Sequence, residues 1–323
     1  MKASVVVPVH NKAAHLRACI DSVLGQSFTG FELIAVDDAS TDSSLEILRS
    51  YGDARMRVIA LPRNVGPGMA AQAGHDAATG EYIIRVDADD VQHPERFAKQ
   101  VAYMDAHPDV GICGGHLKIM GTGEIRQRPA TDPELKALLL FDTPVYQPTM
   151  ILRRQLLLDH GIRYMPEWPR YGEDRLLEVM LLEHTRFADL QEWLVEYREG
   201  GISSRRSAGD LHHLYRMVFQ QLGLPEPSVD ELAVHAYAAK HFSVRPTAQT
   251  IQAFKQWLGW LKHWNDGVKR FEAAALETIL GQQWDDLFHY LPPYGIAPVW
   301  AYLKCGGRLD AGRMYYLLRT LKW

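Results

Sequence analysis

Four apolar runs in the first ninety residues, "SVVVPV" (4–9), "FELIAVDD" (31–38), "MRVIAL" (56–61) and "EYIIRV" (81–86), each end in a polar cluster. Between them lie stretches with helical apolar spacing at 13–26, 43–52 and 68–78, the first placing Leu16, Cys19, Ile20, Val23 and Leu24 on one face. Strands that read as continuous apolar runs and alternate with helices predict a parallel sheet covered by helices on both faces. In such sheets ligands bind outside the carboxyl ends of the strands. The clusters His10-Asn11, Asp37-Asp38, Asn64-Val65-Gly66 and Asp87 to Asp90 stand at those ends.

Composition narrows the function. At 47% hydrophobic and 23% charged residues, the 323-residue chain is globular, and its formal net charge of −4 argues against a general nucleic-acid binder. Cys19, Cys113 and Cys305 form neither a disulfide framework nor a zinc spacing, which points to a reducing compartment. The apolar N-terminal run is short and broken by Pro8, so it reads as a buried strand rather than a signal peptide. No run approaches the roughly 18 apolar residues of a membrane span. A cytoplasmic protein is expected.

The strongest chemical signal is "RVDADD" (85–90), three carboxylates within four positions. Like charges repel, so such a cluster needs a cation. Hard carboxylate oxygens suit Mg²⁺ or Mn²⁺ bridged to a diphosphate, and the small Ala88 lets a ligand approach. The plainer reading, capping of the following helix by Asp90 or a neighbour, accounts for one carboxylate but not three. In "VDDASTDSS", Asp38 can accept hydrogen bonds from a base or ribose, while Ser40 or Asp42 can cap the next helix. Glu173 and Asp174 open a predicted helix at 173–184, where they complement the helix dipole or supply a general base. "NVGPGMA" (64–70) contains a G-x-G-x-x-A pattern, but residues 62–65 separate it from its strand and Pro67 interrupts the turn, so a dinucleotide fingerprint is rejected. Adjacent His212 and His213 face different sides of a helix, and the series Phe254, Trp257, Trp260 (or Leu261) and Trp264 reads as core or interface.

"PVHN", "DDASTDSS", "NVG", "GEYIIRVDADD" and the later "ED" form one ordered series over residues 3–200 that resembles the inverting glycosyltransferase family 2. The resemblance implies a GT-A, Rossmann-like nucleotide-sugar-binding domain with a mixed, mostly parallel sheet over 1–205. A helical region, 206–323, follows with an acceptor, oligomer or membrane-surface role. It implies that Pro8, Val9, Asn11, Asp38, Asn64, Gly66, Asp87 and Ala88 bind the nucleotide-sugar, Asp38 through the base and Asp87 through the ribose or donor sugar. Asp89, with Asp87, would hold Mn²⁺ or Mg²⁺, and Asp174, with Glu173 beside it, would be the catalytic base. UDP is the expected donor nucleotide, with dTDP and GDP open, and the acceptor a saccharide or lipid-linked saccharide of surface polysaccharide biosynthesis. The chain departs from the family at Ala13, at Ala71 in the third helix and at Gly200, where a His commonly stands; Arg205, Arg206 or His212 are the substitutes on offer.

Two rival readings remain. One is a non-catalytic nucleotide-sugar-binding or scaffold protein of the same fold. The other, a phosphohydrolase using Asp87, lacks the early D-x-D and the following Ser or Thr and Lys. The segment 301–323, aromatic and basic through Lys304, Arg308, Arg313, Arg319 and Lys322, suits the inner face of an anionic membrane. A docked helix with a solvated basic face is the plainer account of it, and a homo-oligomer stays open.

Overall fold

The computed structural model describes residues 1–200, 208–238 and 245–320. The chain divides into two compact units, residues 1–135 with 143–205, and residues 136–142 with 206–323.

The first unit opens with β1 (Ala3–Val9), α1 (Ala13–Leu24), β2 (Phe31–Asp37), α2 (Ser44–Arg49), β3 (Met56–Ala60), α3 (Pro67–Ala77) and β4 (Tyr82–Arg85). It continues with β5 (Val91–Gln92), α4 (Arg96–Ala106), β6 (Val110–Ile119), β7 (Ile125–Arg126), α5 (Asp132–Leu138, whose residues from 136 on belong to the second unit), β8 (Ile151–Arg153), α6 (Arg154–His160), α7 (Glu173–Leu181) and β9 (Arg186–Tyr197). The sheet order is β3-β2-β1-β4-β8-β6-β9-β5, with β7 beside β6. β1, β2, β3 and β4 pair in parallel, β8 runs antiparallel between β4 and β6, and β9 is parallel to β6. The parallel sheet expected from the alternation is present in β1, β2, β3 and β4, and the antiparallel pairings of β5, β7 and β8 make the whole the mixed sheet that the resemblance implies.

Period-two alternation along β1 sends its valines to two covered faces. Val5 and Val7 pack with Leu16, Ile20 and Val23 of α1. Val6 points the other way, where α3 lies so close that a Cβ on Gly74 would fall 2.3 Å from a Val6 methyl. Only glycine lets that helix seat on the sheet.

The sequence pattern leaves β6 unassigned because Gly111, Gly114 and Gly115 are poor strand formers. Their reason is close approach: a Cβ on Gly115 would meet Leu194 at 2.4 Å, and one on Gly111 would meet the Thr185 hydroxyl at 2.3 Å. The segment 146–154, "YQPTMILRR", reads as a strand in the sequence but is only partly one. Gln147–Thr149 is a 3-10 turn, since Pro148 offers no ladder donor, and the strand is Ile151–Arg153. The Asp90 capping alternative also fails. Helix α4 begins at Arg96 after Glu95, with no side-chain cap.

The second unit holds α8 (Ala208–Leu222), α9 (Val229–His235), α10 (Ala248–Val268), α11 (Ala273–Leu287), α12 (Ile296–Lys304) and α13 (Ala311–Thr320). Its core is aromatic around the fully buried His235. Trp257 donates to His235 Nδ1 at 2.9 Å, which leaves Nε2–H to donate to the Leu140 carbonyl at 2.9 Å and fixes the tautomer. Phe254 and Trp257 are core, as the helical spacing predicts. Trp260 is 37% exposed and stacks on Trp257, so at this turn Leu261 rather than Trp260 takes the core position. No helix among the described residues is long and apolar enough to cross a membrane.

Candidate active site

The turns after β1, β2 and β3 are tied together by the residues that the sequence singles out. Asp38 is 2% exposed and uses both carboxylate oxygens, Oδ1 accepting from Val65 N–H at 2.7 Å and Oδ2 from Gly66 N–H at 2.9 Å. Gly66 adopts φ +92°, which L side chains avoid, so this turn requires glycine. The Asp38 carbonyl in turn accepts from Asn64 Nδ2 at 3.3 Å and lies 2.9 Å from His10 Nδ1. Asn11, itself at φ +53°, accepts from Thr41 N–H at 2.8 Å and so staples the β1 turn to the β2 turn. Asp42 accepts from Ala13 N–H at 3.0 Å and Ser44 N–H at 2.9 Å, capping the starts of α1 and α2 together. Val9 is buried in β1 opposite Asp37, and Pro8 is half-buried opposite Val36.

The aspartates after β4 divide by environment. Asp89 is paired with the Lys12 ammonium. Asp87, its side chain 28% exposed, pairs with the buried Arg85 at 3.3 Å. Loss of solvent and the neighbouring Asp89 push the Asp87 carboxyl upward, against the pull of Arg85 and Lys12. Asp90 is fully buried and accepts from Arg198 N–H at 2.8 Å, while Arg198 Nε donates to the Asp89 carbonyl at 3.2 Å. Burial, then the Asp87 charge, raises Asp90 to about 9, so it holds its proton at neutral pH and locks this loop to the end of β9. Ala88 is 2% exposed between the two outward carboxylates.

The second carboxylate pair opens α7 after Gly172, which sits at φ +74°. Glu173 is 5% exposed and packs so tightly on the start of α3 that a Cβ on Gly68 would lie 2.9 Å from its Cγ. Burial, and next the adjacent Asp174, raises Glu173 to about 8. Asp174 is half-exposed, and its Oδ1 accepts from Arg175 N–H at 2.9 Å. A cavity of about 140 Å³ lies between the first turn of α3 and residues 164–173, lined by Gly66, Met69, Tyr164, Trp168, Arg170 and Glu173. Arg170 donates to Asn64 Oδ1 at 2.6 Å, joining the β3 turn to the segment that precedes α7.

Arg85 links the two carboxylate pairs. It is 3% exposed, pairs with Asp87, and its charge also draws down Glu173 and Tyr164 against their burial. Its one signal in the sequence is a lone charge inside the apolar run "YIIRV". Lys12, Tyr164 and Arg170 carry no such signal, and sequence reasoning misses them. Arg205 and Arg206 lie outside the described residues.

A divalent ion fits this donor set only in part. Asp89 and Asp87 offer carboxylate oxygens, but no group of three His, Cys, Asp or Glu side chains among the described residues could hold a metal unaided. Mg²⁺ is commonly held by one or two carboxylates together with substrate phosphates, and these residues meet that requirement.

Residues 4–161 match the model of glycosyl transferase family 2. The putative glycosyltransferase EpsE of Bacillus subtilis is 38% identical over 212 residues, covering 64% of this chain and 76% of EpsE. The poly(ribitol-phosphate) beta-N-acetylglucosaminyltransferase TarS of Staphylococcus aureus is 29% identical over 262 residues, covering 76% of this chain. The matched region spans 45% of TarS and 65% of another curated relative. The crystal structure of TarS 1–349 with UDP-GlcNAc superposes with a TM-score of 0.61 at 22% identity, over 96% of this chain and 93% of that one. The mannosyltransferase PcManGT of Pyrobaculum calidifontis, in complex with GDP-Man and Mn²⁺, gives 0.54 at 18% identity, over 99% and 84%. The chain belongs to glycosyltransferase family 2 and carries its GT-A fold.

Proposed function

We propose that this protein is an inverting glycosyltransferase that moves a sugar from a nucleoside diphosphate, most simply UDP, to a hydroxyl of a saccharide or lipid-linked saccharide in surface polysaccharide assembly. The observation that carries the reading is the pairing of outward carboxylates at Asp87 and Asp89 with the differently tuned pair Glu173 and Asp174, linked through Arg85.

Each oxygen of Asp38 keeps a second lone pair after holding the Val65–Gly66 turn, so the carboxylate can accept a ring N–H. Uracil, thymine and guanine offer one, and cytosine does not. Pro8, Val9, Asn11, Asn64 and Gly66 frame that base and ribose side, and Asp87 takes a hydroxyl of the ribose or donor sugar. Asp89, with Asp87, would hold the divalent ion, which supplies neutralisation of the charge that builds on the departing diphosphate.

The proton goes to Asp174. A base must be ionised at working pH, and Glu173, raised to about 8, is not. The position of Asp174 at the N-terminus of α7 favours its anion. The acceptor oxygen forms a bond to the anomeric carbon as the bond from that carbon to the diphosphate oxygen breaks, with the acceptor proton passing to the Asp174 carboxylate. Attack opposite the leaving group inverts the centre.

We keep residues 1–205 as the transferase domain and assign 206–323 to the acceptor or a membrane surface. In α12 and α13 the exposed Trp300, Tyr315 and Leu318 accompany Lys304 and Arg319, a composition suited to an anionic interface. Lys322 lies outside the described residues.

Titration calorimetry of UDP, dTDP and GDP, each with Mn²⁺ or with EDTA, tests the reading on wild type and Asp89→Asn. Metal-dependent binding of one nucleotide, lost in the variant, is expected. Folded wild type that binds none of the three would overturn it.

A further inference from the structure

Lys12 occupies an unusual seat. It is the N-cap residue of α1, with its own N–H donating to the Ser44 hydroxyl at 2.9 Å and the next N–H donating to Asp42. Its backbone is thus fixed from the neighbouring β2 turn. Only the four-carbon stem is left to move, and it delivers the ammonium to Asp89 Oδ2. The Asp89 side chain is 16% exposed and that of Lys12 31%, so the pair is half-shielded at the mouth of the site.

The charge count at the site follows. Asp87 faces the guanidinium of Arg85, and Asp89 faces the ammonium of Lys12. Two carboxylates meet two cations. Arg85 is committed, since it lies in β4, 3% exposed, with Nη1 donating to the Val86 carbonyl at 2.9 Å. Lys12 is not. A lysine ammonium is a flexible point charge that serves carboxylate and phosphate alike.

We propose that Lys12 is the resident counter-ion of Asp89, one that suppresses binding of free divalent metal and transfers to the diphosphate when the nucleotide brings the metal in. The proposal rests on the nucleotide-sugar reading above and deepens it. Free metal must compete with an ammonium already seated on its main ligand, beside the guanidinium groups of Arg85 and Arg198. A metal–diphosphate complex supplies both a replacement cation for Asp89 and a new anion for Lys12. Metal and nucleotide therefore bind with positive coupling, and Lys12 is the group that couples them.

Two measurements on the full chain separate this from a merely structural ion pair. In the first, Mn²⁺ alone is titrated into wild type, Lys12→Met and Asp89→Asn, with the free-ion electron paramagnetic resonance signal as readout. In the second, calorimetry follows UDP binding to the same proteins at saturating Mn²⁺. Loss of Lys12 is expected to tighten Mn²⁺ binding about fivefold, the size of one good partly exposed ion pair, and to weaken UDP binding by about as much. Asp89→Asn should abolish the Mn²⁺ response. Lys12→Gln, which keeps a polar end without the charge, should behave as Lys12→Met does.

Equal Mn²⁺ affinity in wild type and both Lys12 variants would overturn the proposal, as would UDP affinity that is unchanged or improved in them. If wild type binds no nucleotide, the donor reading itself falls. The Mn²⁺ titration still decides whether Lys12 holds Asp89 against metal.

Discussion

The two carboxylate pairs of the first unit are built from the same chemistry and put to opposite states. Asp87 and Asp89 stand at the end of β4, and each is met by a cation from the chain itself, Arg85 and Lys12. Glu173 and Asp174 open α7, where the larger influence on Glu173 is burial and the next is its neighbour's charge. At the first pair the charge is countered. At the second it is withheld from one member, which keeps its proton, so the other can be the anion. Burial raises one carboxyl of each pair, Asp87 at β4 and Glu173 at α7, but Asp87 has the Arg85 guanidinium at 3.3 Å to draw it back, and the base role proposed for Asp174 rests on the protonated state of its neighbour.

The comparison breaks most sharply on Asp174. Asp174→Asn should cut sugar transfer by a factor of about 10² to 10⁴, the usual weight of a general base. UDP binding measured by calorimetry should stay near wild type. Equal losses of transfer in Asp174→Asn and Glu173→Gln at pH 7 would mean that the two carboxyls act as a unit, against the division drawn here. A smaller effect is expected from Arg85→Met, which leaves Asp87 without its cation beside Asp89. Removing one partner of a buried pair costs about 3–5 kcal/mol; with Asp87 28% exposed, about 2 kcal/mol is expected from urea unfolding. A change below about 0.5 kcal/mol, the range of an ordinary surface substitution, would show that solvent already balances Asp87.

The fold is largely readable where strand and helix alternate, because β1, β2 and β4 are buried along nearly their whole length and read as apolar runs, while β3, at the sheet edge, is half-buried. It becomes unreadable at β6, where Gly111, Gly114 and Gly115 serve close packing against Thr185, Val145 and Leu194 respectively, partners remote in sequence. The same holds at the site. Carboxylates that end apolar runs or open a helix announce themselves, so Asp38, Asp87, Asp89, Glu173 and Asp174 stand out in the amino-acid sequence alone. What they touch does not. That Asp38 spends both oxygens on the Val65–Gly66 turn, and that Asp90 is locked onto the Arg198 backbone, depends on loops meeting across 27 and 108 residues. Lys12 reaches Asp89 across 77 positions, and no local pattern predicts such a contact.

The effect most specific to Glu173 is a pH dependence. Its carboxyl lies at about 8 in the folded protein against an ordinary 4.5. Between those values the folded state keeps a proton that the unfolded chain has released. Stability therefore falls as pH rises through this window, by up to about 1.4 kcal/mol per pH unit for one group, and the contribution is intact below 4.5. Asp90, raised to about 9 from 3.8, acts with the same sign over a wider window. Glu173→Gln should accordingly remove part of the slope between about pH 5 and pH 8 in urea midpoints, and Asp90→Asn much of the remainder. The division of labour at α7 requires this result, because a Glu173 that titrated normally would be ionised beside Asp174 at neutral pH. Parallel curves for wild type and Glu173→Gln would show it ionised, and would return both carboxylates to candidacy as the base.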